Sequence, residues 1–201
     1  MRRAEQENIP DERLLAGASR GDEAAFRQLY ERHRDAVYRF AYRLTGATAT
    51  AEDITHDCFM SLLQRPAAFD ARRAALRTYL LAAARNLAFK HFRQHAPETV
   101  WDEASEPLTH SVDYTSPLRQ VLAAELAGEV RRAILDLPPL QREALLLFEY
   151  EDLSLNEIAT VTGADSGTIK ARLYRARQNL QRALASYWYG APAHAGQEVR
   201  P

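Results

Sequence analysis

Residues 166–187 hold five lysines and arginines and no acid, and the segment leading into them, GADSGTIKARLYRAR over 163–177, opens on a glycine. Bases of this kind neutralise phosphates and reach the O6 and N7 edge of guanine, while the free N–H groups at a helix start hold a phosphate. A second basic run covers 72–95 with six Lys/Arg and no acid, and between the two, 98–113 has five Asp/Glu and no Lys or Arg. Alternation of this kind, in a chain of formal net charge −1, points to a polyanion contacted at two places.

Enzyme chemistry finds less support. His56 and Asp57 form an adjacent His-Asp pair, as in the metal sites of all-helical phosphohydrolases, but such a site needs further His and Asp ligands. His33, His91 and His95 stand in no such motif, so His56 reads as a polar helix residue, and no metal, cofactor, catalytic residue or small-molecule substrate is expected. Cys58 is the sole cysteine. It excludes an intramolecular disulfide framework and a Cys-based zinc site, fits a reducing compartment, and is expected to be a small buried hydrophobe rather than a redox switch.

The elements that must carry these residues are helical. Phe26, Leu29, Tyr30, Val37, Phe40, Ala41 and Leu44 recur near the 3.6-residue period, with Asp22 a candidate N-cap and Gly46 a candidate stop. The spacing of Thr50 and Asp53 predicts a capping box for a second helix that runs to Pro66, and Leu76 to Arg93 forms a third. Three such helices enclose a small core. From Pro97 to Pro117 the composition turns to Pro, Ser, Thr, Glu and Asp, which reads as a flexible acidic linker; Trp101 within it is expected to dock in a groove.

Periodicity returns over Leu118–Leu135 and Gln141–Tyr150. Ser154 and Glu157 then make a capping box, Gly163 is placed to end the short helix that follows, and Asp165 or Ser166 can cap the next one. On that last helix Ile169, Leu173, Ala176 and Leu180 share one narrow face, and Ala171, Tyr174 and Gln178 lie opposite, bordered by Lys170 and Arg177 on one side and Arg172 and Arg175 on the other. A short helix, a tight turn and a basic second helix make a helix-turn-helix. The expected fold is therefore all-α, with two small helical domains at 12–96 and 118–188, the linker at 97–117 and a disordered tail at 189–201. No apolar run approaches the ~20 residues that cross a bilayer, and the first residues lack the apolar stretch of a signal peptide. A cytoplasmic chain without membrane insertion is expected.

The segment LDLPPLQREALLLFEYEDLSLNEIATVTGADSGTIKARLYRARQNLQRAL resembles the fourth region of bacterial extracytoplasmic-function sigma factors, with its REV, SYxEIA and GTVKSRLxRAR motifs. AFRQLYERHRDAVYRFAYRLTGATATAEDITHDCFMSLLQR and TYLLAAARNLAFKHFRQ resemble the second region of the same family. The resemblance implies a promoter-specificity subunit of RNA polymerase, with core polymerase and promoter DNA as partners and an anti-sigma protein as a regulator. It implies that Asp53, His56 and Asp57 meet the polymerase clamp helices, His56 standing where glutamine is common.

Arg72, Arg73, Tyr79, Asn86 and Lys90 fall in the part that handles the −10 element. There the Asn86 amide can pair with a base edge, Tyr79 replaces Trp and Lys90 replaces Asp. The loop from Phe69 to Arg77 is placed to hold phosphates and receive a flipped base. Ser166, Thr168, Lys170, Ala171, Arg172, Tyr174 and Arg175 fall in the −35 reader, where Ala171 replaces a common serine and Arg172 and Arg177 suit backbone contact or structure. A helix-turn-helix activator that binds its operator without polymerase is the rival reading, and the AEDITHD and AARN segments argue against it.

Overall fold

The computed structural model describes residues 9–95 and 118–185. Trp101, the linker 97–117 and the tail 189–201 lie outside the described residues. The described residues are all-α: α1 (Asp11–Ala18), α2 (Glu23–Thr45), α3 (Thr48–Gln64), a 3-10 turn (Pro66–Ala68), α4 (Leu76–His95), α5 (Leu118–Leu135), α6 (Pro139–Glu149), α7 (Leu155–Thr162) and α8 (Ser166–Ala183).

Each boundary of the first domain has a local cause. The Asp22 carboxylate accepts from the Ala24 and Ala25 amides at 3.0 Å and starts α2. Gly46 ends it at φ 75°, a left-handed conformation that costs glycine little. The chain then turns straight into α3 at Thr48, with Ala47 at the N-cap and no side-chain cap. The expected capping box of Thr50 and Asp53 is therefore not formed. The tight Gly46 turn brings the helix start forward, so both residues lie inside α3 and Asp53 is left for the surface.

Helix α1 was not foreseen, and it is pinned by charge. Asp11 accepts from Arg32 at 2.5 Å and lies 2.8 Å from His33 Nε2, which places the buried His33 in a structural pair. Leu29, Phe40, Leu44, Phe59, Leu62, Leu80 and Leu81 fill the space between α2, α3 and α4.

In the second domain Leu146, Leu147, Ile158, Ile169 and Leu173 form the centre. Helix α6 is buried over every residue from Gln141 to Leu147, polar ones included. A helix buried all round must be covered on opposite sides. Here α8 and α7 cover one side and α2 of the first domain the other, so the two domains share one continuous apolar cluster. Gly46 takes part: a Cβ there would meet the Leu135 side chain at 3.1 Å.

Candidate nucleic-acid interface

Helix α8 is positioned by the expected signals. Ser154 Oγ accepts from the Glu157 amide at 3.3 Å while Glu157 Oε2 accepts from the Ser154 amide at 2.9 Å, completing the capping box of α7. Gly163, at φ 72°, turns the chain. Asp165 then caps α8, accepting from the Thr168 amide at 2.9 Å and from its hydroxyl at 2.7 Å. Those two bonds, the hydroxyl's first, hold the Asp165 carboxyl below the usual carboxylate range, and Ser154 does the same to Glu157.

With Ile169, Leu173 and Ala176 buried, Ser166, Lys170, Tyr174 and Gln178 face outward. Tyr174 is 63% exposed, and its hydroxyl accepts from Gln178 Nε2 at 2.7 Å. Ala171 and Arg175 are half-buried, and Arg175 Nε donates to the Ala171 carbonyl at 3.4 Å. Arg177 is held back on Glu149 at 2.6 Å and over the Phe148 ring. Arg172 turns inward to Glu143 at 3.4 Å.

On the first domain, Tyr79, Ala83, Asn86 and Lys90 share one stripe of α4 by helical spacing, and Asn86 and Lys90 are exposed. Tyr79 packs edge-on against Phe69 at 5.6 Å between ring centres. Arg73 and Arg72 stand in the loop before α4; Arg72, whose side chain is 90% exposed, pairs with Asp70 at 3.1 Å. Beside that loop lies a groove of about 410 Å³ lined by Leu15, Ser19, Phe69, Asp70 and Arg72. On α3, Asp53, His56, Asp57 and Met60 are all exposed at the spacing of a single helix face.

His91 and His95 stack on each other at 4.1 Å on α4, with His91 within the field of the Asp53 carboxylate. Among the described residues no three His, Cys, Asp or Glu side chains converge to hold a metal. Cys58 is buried, and that burial pushes its thiol up to about 12.

The sequence reading missed a set of charges at the domain junction. Glu143 is fully buried between Arg85, at 2.7 Å, and Arg172. Burial pushes its carboxyl up, and the two guanidiniums pull it back part of the way. Arg85 also donates to Asn86 Oδ1 at 3.3 Å. Glu151 lies against Arg77 at 2.5 Å and Arg43 at 3.7 Å. Arg142 donates to the Leu44 carbonyl at 2.6 Å and to those of Leu135 and Leu137 at the end of α5. The available signal was the REALLL segment, in which charged residues adjoin an unbroken apolar run.

A four-helix domain that exposes Asp53 and Asp57 on one helix and Arg72, Arg73 and Lys90 in and after the loop before α4, followed by a helix-turn-helix domain, defines the sigma-70 class of transcription factor. Comparison with known proteins agrees: the Sigma-70 region 2 family matches residues 29–98 and Sigma-70, region 4 matches 127–180. The chain is 30% identical to the ECF RNA polymerase sigma factor SigW of Bacillus subtilis, over 82% of this chain and 91% of that one. It is 33% identical to the ECF RNA polymerase sigma factor BldN of Streptomyces coelicolor over 85% of this chain, and spans 64% of BldN's length. Among solved structures it is similar to the sigma factor RpoE of Bartonella quintana, in complex with the anti-sigma factor NepR. That likeness has a TM-score of 0.58 and 26% identity, and covers 80% of this chain and 96% of RpoE.

The chain belongs to the extracytoplasmic-function RNA polymerase sigma factors. Its function is in transcription initiation.

Proposed function

We propose that the two domains divide promoter recognition between them, region 2 over 12–96 and region 4 over 118–188. The observation that carries this is the presence in one chain of an α3 face that presents Asp53 and Asp57 and a capped α8 that presents Lys170 and Tyr174 outward, with Arg175 half-buried beside them. Asp53, His56, Asp57 and the exposed Met60 dock on the polymerase clamp helices. Arg72 and Arg73 hold the phosphates of the opened −10 strand, Asn86 and Lys90 meet its bases and backbone, Tyr79 stacks or packs beside them, and the groove under Phe69 receives an unstacked base. In region 4, Ser166, Thr168, Lys170, Ala171, Tyr174 and Arg175 line the −35 major groove. Arg172 acts from behind, through Glu143.

The protein supplies no catalytic group of its own and works in the cytoplasm. An anti-sigma protein is its regulator, a reading supported by the relative RpoE in complex with one. Capture by core RNA polymerase followed by run-off transcription tests the scheme, and sequencing the DNA bound by the reconstituted holoenzyme identifies the promoters. Arg175→Ala is expected to weaken −35-dependent transcription and Asn86→Ala to impair opening. Tight promoter binding by the chain alone, with no affinity for core enzyme, refutes the scheme in favour of a free-standing activator.

A further inference from the structure

We propose that His91 and His95 form a site for a divalent transition cation of the Zn²⁺ or Ni²⁺ kind, and that a cation held there weakens docking of the α3 face on polymerase. Neither side chain contributes to the promoter or polymerase contacts proposed above. They stand four residues apart near the end of α4, and their rings stack at 4.1 Å between centres with 30° between their planes. Residues at i and i+4 share one side of a helix, the spacing at which two histidines chelate zinc. Metal–nitrogen bonds of about 2.0–2.1 Å set two imidazole nitrogens on one ion roughly 3 Å apart. Rings as close as these can present that pair. Arg93, two residues from each, falls on the other side of the helix by its spacing.

The tautomer is set as well. His95 Nδ1 lies 2.9 Å from the His91 carbonyl. A carbonyl oxygen only accepts, so Nδ1 carries the proton and donates it, and Nε2 of the neutral ring keeps its lone pair for a metal. The carbonyl is then the outer partner that orients a metal-bound histidine. His95 is exposed and His91 half-buried, so an ion reaches them from solvent. Burial first, and then His95, hold the His91 imidazole below its usual range, against the opposing pull of Asp53. Asp53 is an exposed carboxylate of α3, and its field attracts a cation without ligating it. Among the described residues no third His, Cys, Asp or Glu side chain joins the pair, so water completes the shell. Such a site exchanges its ion, unlike a closed structural one. Imidazole favours Zn²⁺, Ni²⁺ and Cu²⁺ over Mg²⁺, which prefers oxygen.

The link to polymerase rests on the function proposed above: Asp53 lies on the docking face, and a cation beside it cancels part of the negative charge presented there. Binding itself is measured without polymerase. The full chain, stripped with a chelator, is titrated with Zn²⁺ by calorimetry and proton NMR. Zn²⁺ is expected to bind the wild type and to shift the ring protons of His91 and His95, and Mg²⁺ to do neither. H91A and H95A are each expected to weaken Zn²⁺ binding at least tenfold. If either loses helical circular dichroism, H95Q, at the exposed position, takes its place with the same expected loss. Zn²⁺ affinity unchanged in these variants, or ring protons that do not move, overturns the site. In capture by core RNA polymerase, Zn²⁺ is expected to weaken the wild type at least fivefold and to leave H95A unaffected. An equal response of the two overturns the link to docking. A metal-free chain that fails to bind core polymerase refutes the proposed function instead, and leaves the titration standing.

Discussion

Replacing Glu143 by alanine tests how far one buried carboxylate holds the molecule together. The substitution takes the shared carboxylate away from Arg85 and Arg172, whose side chains are only 18% and 13% exposed. Solvent reaches neither well, so screening recovers little, and removing one member of a buried ion pair costs about 3–5 kcal/mol. In a chain of this length each kcal/mol lowers the midpoint by roughly 2–4 °C, so Glu143→Ala should lower Tm by roughly 6–20 °C. Glu143→Gln keeps the shape and one acceptor and should lose less. Arg172→Ala, added to Glu143→Ala, removes the second member of a pair already broken, so the combined loss should fall short of the sum by about 1 kcal/mol or more. Urea unfolding followed by circular dichroism reads all three. A Glu143→Ala loss under about 1 kcal/mol, the range of an exposed pair, or strict additivity with Arg172→Ala, refutes the triad as a buried unit.

Gly46→Ala should destabilise by about 1–3 kcal/mol, because alanine is strained at a positive φ and its Cβ would press on Leu135 at 3.1 Å; a thermal melt checks this. Cys58, with its thiol pushed up to about 12 by burial, should resist an alkylating reagent in the native chain and react only as urea unfolds it; labelling at the native rate of a free thiol contradicts the burial. Asp165 and Glu157 both sit below the usual carboxylate range in the folded chain, so their contribution is complete above the unfolded value and is lost as pH falls through the folded one. Asp165→Asn keeps an N-cap and removes its titration. Urea midpoints between roughly pH 5 and 2 should therefore slope less in that variant than in the wild type.

What the sequence disclosed and what it withheld divide along a physical line. The helix-turn-helix was legible because its signals are local: Ser154, Glu157, Gly163 and Asp165 act within four residues of their partners. The exposed Lys170 and Tyr174 followed from the apolar face behind them. Arg172 was harder, since a wheel places it on the border of the outward face and only the position of Glu143, on another helix, turns it inward. The Thr50–Asp53 spacing was right for a capping box, but the left-handed Gly46 had already turned the chain. The packing of the two domains could not be read at all. Arg77 and Glu151, or Arg85 and Glu143, are distant in sequence and ordinary in type, and nothing local distinguishes them from solvated charges.

The Arg142 contact has a bearing on how such a molecule can change over generations. Its guanidinium grips the carbonyl of Leu44 in one domain and those of Leu135 and Leu137 in the other. A backbone oxygen is supplied by every amino acid alike, so exchanging Leu44 for another core-filling side chain leaves this tie intact. Mutation is therefore free to revise outward residues such as Lys170 and Tyr174 without disturbing this seam. Lineages that duplicate the gene can diversify those outward faces while inheriting the joint unchanged.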